Sequence, residues 1–408
     1  MSKQHHSSHR VKSKHGHNVH ASQHTDLPAM KHEWVIIPSS TPINSWGGYG
    51  LLDFKEKNCI LHDLALMYQV QLPTITAGSN PISNMPDLSP AIFWTTRIEI
   101  VHHNNVIDTI YPLAQFIHQQ LFNHDEERKV KNVAMGDYAN IVQRQQLFAQ
   151  GGTFIVPLWT YFKQAHIPMI VHNHDLQLRL YLDTVQNVYT SNGATLSTGL
   201  PVMNSCSLLA KVSRLHGSHA EQIHRSLKAP QHFQFLETRF QQFTMTAQPS
   251  PIQTSIPLTS IVGKVSFLYF TVRPVTGTTD DNAWNFTPIT SFNILDATGQ
   301  NITGGQPVPS ALALTLLNED NVLSTYLTEN IEGKGVTSTA ANVYMYSFSA
   351  SAHTSARDGV SLNHYQFRGN EQLQIQFAGA IPNVSVDIFA FTEAVLEVAH
   401  HGVKKIAL

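Results

Sequence analysis

Short apolar segments recur from Trp34 onward and limit the possible fold more than any other feature of the chain. They are rich in Val, Ile, Leu, Phe and Tyr, and Pro, Gly, Asn and Ser separate them, as expected for strands joined by turns. In "LQLRLYLD", leucines at every second position alternate with polar or amphipathic residues, which predicts a strand with one buried face. The strict alternation covers Leu176, Leu178, Leu180 and Leu182.

Seven further segments have the same character and are predicted to contain strands. The Asn104-Asn105 pair inside the second of them predicts a hairpin turn, because Asn tolerates positive φ better than most residues. The segments are CILHDLALMYQVQLP (59–73), RIEIVHHNNVIDTIY (97–111), FIVPLWTYF (154–162), GKVSFLYFTVRP (263–274), NVYMYSFSA (342–350), EQLQIQFAG (371–379) and VSVDIFAFTEAVLEV (384–398).

Helical signals are few. Pro112 suits a first helical turn, and the apolar residues after it recur at spacings of three and four, which predicts an amphipathic helix. Those apolar residues are Leu113, Phe116, Ile117 and Leu121. In "SHAEQIHRSLK", Ser218 and Glu221 form a capping-box pattern. Strand segments flank this second helix, so it is predicted to connect two β units.

The chain has 408 residues, enough for two domains that each bury their own core. We predict a flexible arm at 1–33, a first β domain at 34–217, a connector helix at 218–230 and a second β domain at 231–408. The arm is rich in His, Ser, Lys and Gln. It therefore has too few apolar side chains for their burial to offset the conformational entropy lost on ordering. Its bases are Lys3, Arg10, Lys12, Lys14 and Lys31, against the acids Asp26 and Glu33. Two interpretations of the arm remain open. It either contacts nucleic acid or a partner subunit, or it is a disordered tail without a partner.

Composition excludes several classes of protein. Charged residues are 13% of the chain and the formal net charge is -2, so the whole chain has no electrostatic footprint for nucleic acid. Cys59 and Cys206 are the two cysteines, too few for a disulfide framework or a thiolate zinc cluster, and they suit a reducing compartment. The polar N-terminus resembles no signal peptide, and no run of eighteen apolar residues predicts a membrane span.

The segment His172-Asn173-His174-Asp175 is the strongest candidate metal site. Continuing the strand period backward places both histidines on the leucine face and Asp175 on the other face. The two histidines share a metal only if a neighbouring strand supplies a third ligand. The cupin motif requires a glycine where His166 stands and a glutamate near Arg179, so it fails at both ends. The pairs His102-His103 and His400-His401 are adjacent and are expected to point to opposite faces.

No phosphate loop, nucleophile elbow or His-Glu-x-x-His helix is present. We therefore predict no catalytic, cofactor-binding or metal-binding residues, no cofactor and no small-molecule substrate. Four aromatic residues resemble a sugar-binding platform, but aromatics in sheet proteins are more often core, and that is the prediction for them. They are Trp94, Trp159, Tyr161 and Phe162.

Several segments, in order, resemble the major capsid proteins of the double jelly-roll lineage, which includes nucleocytoplasmic large DNA viruses, virophages and polinton-like viruses. In the first half these are the opening strands ending in Leu-Pro, a hairpin with an Ile-Asp-x-x-Tyr step into a helix, and a Val-Pro-Leu strand followed by a His-acid pair. The step is Ile107, Asp108 and Tyr111, and the pair is His174 and Asp175. The segments are 45–73, 93–121 and 154–180.

The second half is similar in the same order at 254–274, 284–303 and 343–367. The connector, 213–243, also resembles the joint of the family, although His and Ser largely replace its acidic residues. The chain lacks the long loops of larger members, so it resembles a compact member, closer to polinton-like viruses or virophages.

The resemblance implies an all-β double jelly roll, two consecutive eight-stranded rolls with a few short helices and a flexible N-terminal arm. It implies a non-enzymatic structural subunit of an icosahedral DNA virus shell, assembled inside the host cell from homotrimers that form pseudo-hexagonal capsomers. The implied partners are neighbouring capsomers and the penton and minor capsid proteins. The arm is expected to contact DNA, an inner membrane or adjacent subunits. The alternative is a cupin-like metal-binding or carbohydrate-binding jelly-roll protein.

Overall fold

A computed structural model describes most of the chain. The described residues are 32–56, 59–74, 87–123, 125–136, 151–164, 169–170, 176–190, 199–215, 221–222, 225, 228–275, 286–310, 342–350, 355, 363–399 and 402–406. Among these residues, no helix combines the length and the apolar character needed to cross a membrane.

Two antiparallel sheets, one of five strands and one of four, form the first β unit. One has the strand order β1-β11-β3-β7, with β8 also paired to β3, and the other has the order β2-β9-β5-β6. Two short strands, β4 and β10, pair separately. The bounds are β1 His32–Pro38, β2 Tyr49–Phe54, β3 Cys59–Gln71, β4 Asp87–Leu88, β5 Thr95–His102, β6 Asn105–Ile110, β7 Gly152–Pro157, β8 Met169–Ile170, β9 Leu176–Leu182, β10 Tyr189–Thr190 and β11 Val202–Arg214.

The second β unit repeats this arrangement. Its sheets have the orders β12-β20-β14-β17 and β13-β19-β15-β16, with β18 paired to β14 and β21 paired to β20. The bounds are β12 Gln231–Met245, β13 Gln253–Pro257, β14 Val262–Pro274, β15 Ser291–Leu295, β16 Val308–Pro309, β17 Tyr344–Ser347, β18 Tyr365–Arg368, β19 Gln372–Gln376, β20 Val384–Ala399 and β21 Gly402–Ile406.

The two units have identical connectivity. When the eight principal strands of each unit are counted in chain order, one sheet reads 1-8-3-6 and the other 2-7-4-5 in both cases. This is the double-sheet jelly roll, in which the two sheets pack face to face. We call the units the first roll and the second roll, and their 1-8-3-6 sheets the first large sheet and the second large sheet.

Burial follows the predicted alternation. In β9 the leucines are buried and the residues between them are partly exposed. Three of the four aromatic residues predicted as core, Trp94, Tyr161 and Phe162, are buried, whereas Trp159 is half-buried. The Trp94 ring lies 4.9 Å from the Phe154 ring and 5.3 Å from the Tyr68 ring, so it packs against β7 and β3 of the first large sheet.

Helices connect the sheets. The predicted amphipathic helix is α1, Pro112–Phe122. Glu221, Gln222 and Arg225 are helical within the predicted connector, the rest of which is described only at 228–230. A second helix, α2 Asp125–Ala134, was not predicted, and the strand-like segment 154–162 ends as a strand at Pro157 and continues into the short helix α3, Tyr161–Gln164.

Two predicted boundaries shift slightly. The hairpin between β5 and β6 is confirmed, but its positive-φ residues are His103 and Asn104, one position earlier than predicted. His32 and Glu33, placed in the arm by composition, already belong to β1 because they pair with Ser213 and Val212 of β11. The remainder of the predicted arm, 1–31, lies outside the described residues.

The buried Trp94 side chain gives a direct test of the first core. Trp94→Ala removes a fully buried ring and is expected to lower the free energy of unfolding by about 3–5 kcal/mol. Tyr49→Ala is the control, because Tyr49 is an aromatic strand residue with 56% of its surface exposed, and a change below about 1 kcal/mol is expected. Urea unfolding followed by circular dichroism measures both. Equal losses for the two variants would contradict the assigned core.

Candidate functional site at the seam between the rolls

The outer face of the second large sheet is buried rather than solvated. Strand β20 shows why, since its first nine residues, Val384–Thr392, are all buried. Val386 and Ile388 share one apolar core with the second roll, whereas Phe389 and Phe391 belong to a separate cluster with residues of α1. A strand buried on both faces needs a covering layer on each side. The first roll supplies the outer layer.

Helix α1 is that layer, and its side chains divide between the two rolls. Phe116 joins the core of the first roll, where its ring lies 5.2 Å from Phe93. Ile117 and Leu121 pack instead with the aromatic residues of the second large sheet. The helix therefore lies between two cores, which its three-and-four apolar spacing permits.

Polar groups fasten α1 to both rolls. On the first-roll side, the buried Gln115 amide donates to the carbonyl of Pro157 and accepts the Trp159 N–H at 3.2 Å. On the second-roll side, the hydroxyl of Tyr269 donates to the carbonyl of Ala114 at 2.6 Å. Hydrogen bonds between buried groups fix the helix position, because sliding it leaves those groups unsatisfied.

An aromatic layer fills the rest of the contact. The rings of Phe267 and Phe391 stack at 4.4 Å, and those of Phe240 and Phe389 stack at 5.0 Å. The Tyr111 ring of the first roll lies 4.9 Å from Phe240. We call this contact, formed by α1 and the outer face of the second large sheet, the seam.

A charge cluster with two buried carboxylates and two partly exposed cations lies at one edge of the seam. The carboxylate of Glu237 in β12 forms a salt bridge with Nζ of Lys405 in β21 at 2.7 Å and a second one with Arg239. Asp108 of β6 lies beside them and accepts the N–H of Thr109 at 2.9 Å and a backbone hydrogen bond from Tyr161. Burial, and after it the negative charge of Glu237, raises the pKa of Asp108 to about 7, although Lys405 and the two backbone donors oppose this.

A cleft of about 590 Å³ lies beside the same contact. Tyr111, Phe240 and Phe389 form part of its apolar wall. Its polar wall contains Asp387, which is buried and accepts hydrogen bonds from Arg273 at 2.5 Å and Gln242 at 2.9 Å. The charge of Asp387 is therefore compensated within the second large sheet.

The C-terminal strand β21 also reaches the first roll. Its Val403 N–H approaches Nδ1 of His102 at 3.4 Å. Gly402 has φ +126, and a Cβ there would lie 2.5 Å from Nε2 of His103, so only glycine fits. The expectation that His102 and His103 point apart is wrong, because His103 lies in the hairpin turn and the two rings are 4.5 Å apart.

The candidate metal segment His172-Asn173-His174-Asp175 is not among the described residues. In the described part of the chain, no group of three or more His, Cys, Asp or Glu residues could hold a metal ion. His172, His174 and Asp175 lie outside the described residues, and so do His166, His400 and His401. The prediction of no metal or catalytic site at those positions therefore stays a prediction. Cys59 and Cys206 are free and buried.

Sequence reasoning missed the seam, although a signal for it is present. The segment VSVDIFAF, 384–391, is apolar at nearly every position rather than at alternate ones, which is typical of a strand buried on both faces. Glu237 and Lys405 carry no such signal, because single charges on strands are usually solvated.

Comparison with known proteins shows the fold. No protein-family model matches the sequence, and no curated protein matches it. The Faustovirus major capsid protein superposes with a TM-score of 0.64 at 9% identity, covering 94% of this chain and 93% of that one. The mavirus major capsid protein superposes with a TM-score of 0.55 at 11% identity, covering 99% and 97%.

A chain in the cryo-EM structure of the Sputnik virophage gives a TM-score of 0.60 at 10% identity, covering 97% of this chain and 93% of its own. The predicted all-β double jelly roll is confirmed, and so is the resemblance to double jelly-roll capsid proteins at the level of the fold. The likeness spans both rolls, so it includes their pairing.

The buried Asp108 carboxyl predicts a pH dependence of stability. Its pKa is about 7 in the folded protein against 3.8 for the ordinary side chain, so folding binds a proton that unfolding releases. This stabilisation is complete below pH 3.8 and is lost as the pH rises through 7, amounting to at most about 4 kcal/mol. Asp108→Asn is expected to flatten the fall in stability between pH 5 and pH 8.

Urea midpoints measured across that range for the wild type and Asp108→Asn isolate this group, because the histidines titrate in both proteins. The exposed Glu126→Gln exchange is the control and is expected to leave the wild-type slope unchanged. An Asp108→Asn protein with the wild-type slope would refute the assignment.

Proposed function

We propose that this chain is a major capsid protein, the structural subunit of an icosahedral DNA virus shell, which assembles as a homotrimer. The observation that carries the proposal is the repetition of one strand connectivity in two rolls that are packed together through the seam. Three such chains place six similar rolls around a centre, which suits a hexagonal lattice. The Faustovirus and mavirus proteins of the same fold are major capsid proteins.

The packing of the seam suits this role. A shell subunit transmits load between neighbours, so its domains need a fixed relative position. An interface that is large, aromatic and hydrogen-bonded resists the domain motion that small polar interfaces permit. Helix α1, held by Gln115 on one side and Tyr269 on the other, provides such a connection.

The proposed role is structural and not catalytic, and the proposed location is the capsid of the virion, after assembly within the host cell. Its partners are further copies of the chain, which form capsomers and then the lattice, together with penton and minor capsid proteins. The arm at 1–31, with its five bases and one acid, is proposed to contact DNA, an inner membrane or adjacent subunits on the inner side.

The oligomeric state tests this function. The purified chain is expected to form a stable species of three times 45.5 kDa, with a pseudo-hexagonal outline in negative-stain images. Analytical ultracentrifugation and native mass spectrometry give the mass. A monomer or dimer that retains stoichiometric metal after purification would favour the cupin-like alternative instead.

The arm gives a second test. Deletion of residues 1–30 is expected to reduce the yield of closed particles while leaving the trimer intact, because β1 begins at His32 and keeps its pairing with β11. Particle yield by sedimentation and trimer mass by native mass spectrometry are compared with the full chain. An unchanged particle yield would contradict the role of the arm, and loss of the trimer would place the arm in the capsomer contact.

A further inference from the structure

Two histidines from different strands share one serine hydroxyl at the start of β1. Nδ1 of His32 in β1 and Nε2 of His62 in β3 each lie 2.7 Å from Oγ of Ser213 in β11. The two imidazole rings meet edge to face, with their centroids 4.9 Å apart. Ser213 has 1% of its surface exposed, so the hydrogen-bond partners of this hydroxyl come from the protein.

A β-bulge brings His62 to the shared hydroxyl. Between Lys211 and Val212 of β11, the register with β3 shifts by one residue, which leaves His62 as the extra residue of β3. Bulges of this kind re-aim a side chain. His32 needs no such irregularity, because it pairs directly with Ser213 in the ladder between β1 and β11. The local fold therefore directs both histidines to one hydroxyl group.

One serine hydroxyl satisfies two neutral histidines but not two protonated ones. A hydroxyl has one hydrogen to donate and two lone pairs that accept. With both rings neutral, Ser213 donates to one ring nitrogen and accepts the N–H of the other. With both rings protonated, both nitrogens donate, and the Ser213 hydrogen loses its acceptor. The positive charges of His32 and His62 then also repel each other across the 4.9 Å contact.

The charged groups around the two rings are already paired with one another. Burial, and after it the positive charges of His32 and Lys211, lowers the pKa of His62 below its ordinary value of 6.5, although Asp63 opposes this. Asp63 is paired with Lys163 at 2.8 Å. The other charged or titratable groups at this place, among the described residues, are Arg214, which pairs with Glu33 and Glu56, and the buried thiol of Cys59.

Strand β1 is weakly attached to the first roll. It lies at the edge of the first large sheet, where the described part of the chain pairs it with β11 alone. Of its seven residues, only Ile37 is fully buried. Edge segments with few buried contacts open locally at a lower free energy than global unfolding requires. Strand β1 can therefore separate from β11 while the core stays folded.

The corresponding place in the second roll has the opposite electrostatics. By connectivity, β12 corresponds to β1 and β20 corresponds to β11. His232, near the start of β12, pairs with Glu397 of β20, and its Nε2 lies 3.3 Å from the carboxylate. Protonation of His232 therefore adds an attraction to its ladder, whereas protonation of both His32 and His62 adds a repulsion.

We propose that His32, Ser213 and His62 form an acid-sensitive switch that releases β1 from β11 when both rings are protonated. The lost acceptor and the repulsion act on the first residue of β1, where residues 1–31 join the roll. The ladder then opens from His32 towards Pro38. The inference concerns the first roll alone and does not depend on the proposed function.

The direction of the pH effect follows from the charge of the rings. Folding lowers the pKa of His62, so the stabilisation that its neutral ring gives is complete above pH 6.5 and is lost as the pH falls. This direction is opposite to that of Asp108, whose protonation stabilises the seam towards acid. The two effects are separated by where in the chain protection is lost.

Hydrogen–deuterium exchange of the full chain, followed by mass spectrometry, tests the switch. After correction for the intrinsic exchange rate, the protection of β1 is expected to fall at least about tenfold between about pH 7.5 and about pH 5, which spans the ordinary titration of histidine and stays above that of carboxylates. Peptides of β12 are measured in the same sample and are expected to keep their protection.

His32→Asn combined with His62→Gln removes both titrating rings. The amide of Asn lies near the place of imidazole Nδ1 and that of Gln near the place of Nε2, so both keep a polar contact with Ser213. Protection of β1 in this double variant is expected to change by less than about twofold over the same pH range. His232→Gln is the matched control and is expected to keep the wild-type response of β1.

The wild-type comparison stands alone if the double variant does not fold, which circular dichroism shows. A wild-type β1 with equal protection at both pH values overturns the inference. A folded double variant that loses protection of β1 as the wild type does overturns it as well, because the loss then has another origin than the two histidines.

Discussion

The burial of the second large sheet on both faces is the constraint on which the rest of the structure depends. Its inner face completes the second core, and its outer aromatic layer needs cover that the second roll does not provide. Helix α1 of the first roll provides it, with Phe116 turned to one core and Ile117 to the other. Removing that many aromatic rings from water is strongly favourable, so the two rolls gain stability from each other rather than folding as independent beads.

The buried carboxylates Asp387 and Asp108 near this contact are stabilised in different ways. Within the second large sheet, Asp387 is held by Arg273 and Gln242, so its negative charge has near partners. At the edge of the seam, Asp108 lies near Glu237, and Glu237 pairs with both Lys405 and Arg239. Burial and the negative charge of Glu237 both disfavour the ionised form of Asp108, so its carboxyl group retains a proton to a higher pH than usual. Apolar contacts thus hold the seam together, and the protonation of Asp108 makes its stability depend on pH.

Much of the fold is readable from the sequence, because strand alternation is a local property. The leucines of β9 and the long apolar segments of β3 and β14 predict their elements directly. Helix α2 was not predicted because its sequence DEERKVKNVA includes few apolar side chains. Apolar residues at helical spacing therefore do not mark this segment. The segment around Trp159 reads as strand because aromatic and β-branched residues favour strands, but Pro157 ends the ladder.

The candidate site is harder to predict from the sequence than the fold. Apolar periodicity indicates that a face is buried, but it does not indicate which residues cover that face. The apolar stripe of α1 predicts burial, yet its division between two cores depends on contacts with residues such as Tyr269, about 150 positions away along the chain.

The place of β20 within the second large sheet has a consequence for how the chain is made. This strand lies between β12 and β14, although it follows both by more than a hundred residues in the chain. During synthesis, β12 and β14 cannot pair with their shared central strand until β20 has been made. The core of the first roll also includes Phe235 of β12 and Leu396 of β20, so it too stays incomplete until those strands are made. Both cores therefore depend on one strand near the end of the described chain, and neither roll is complete before β20 has been synthesised.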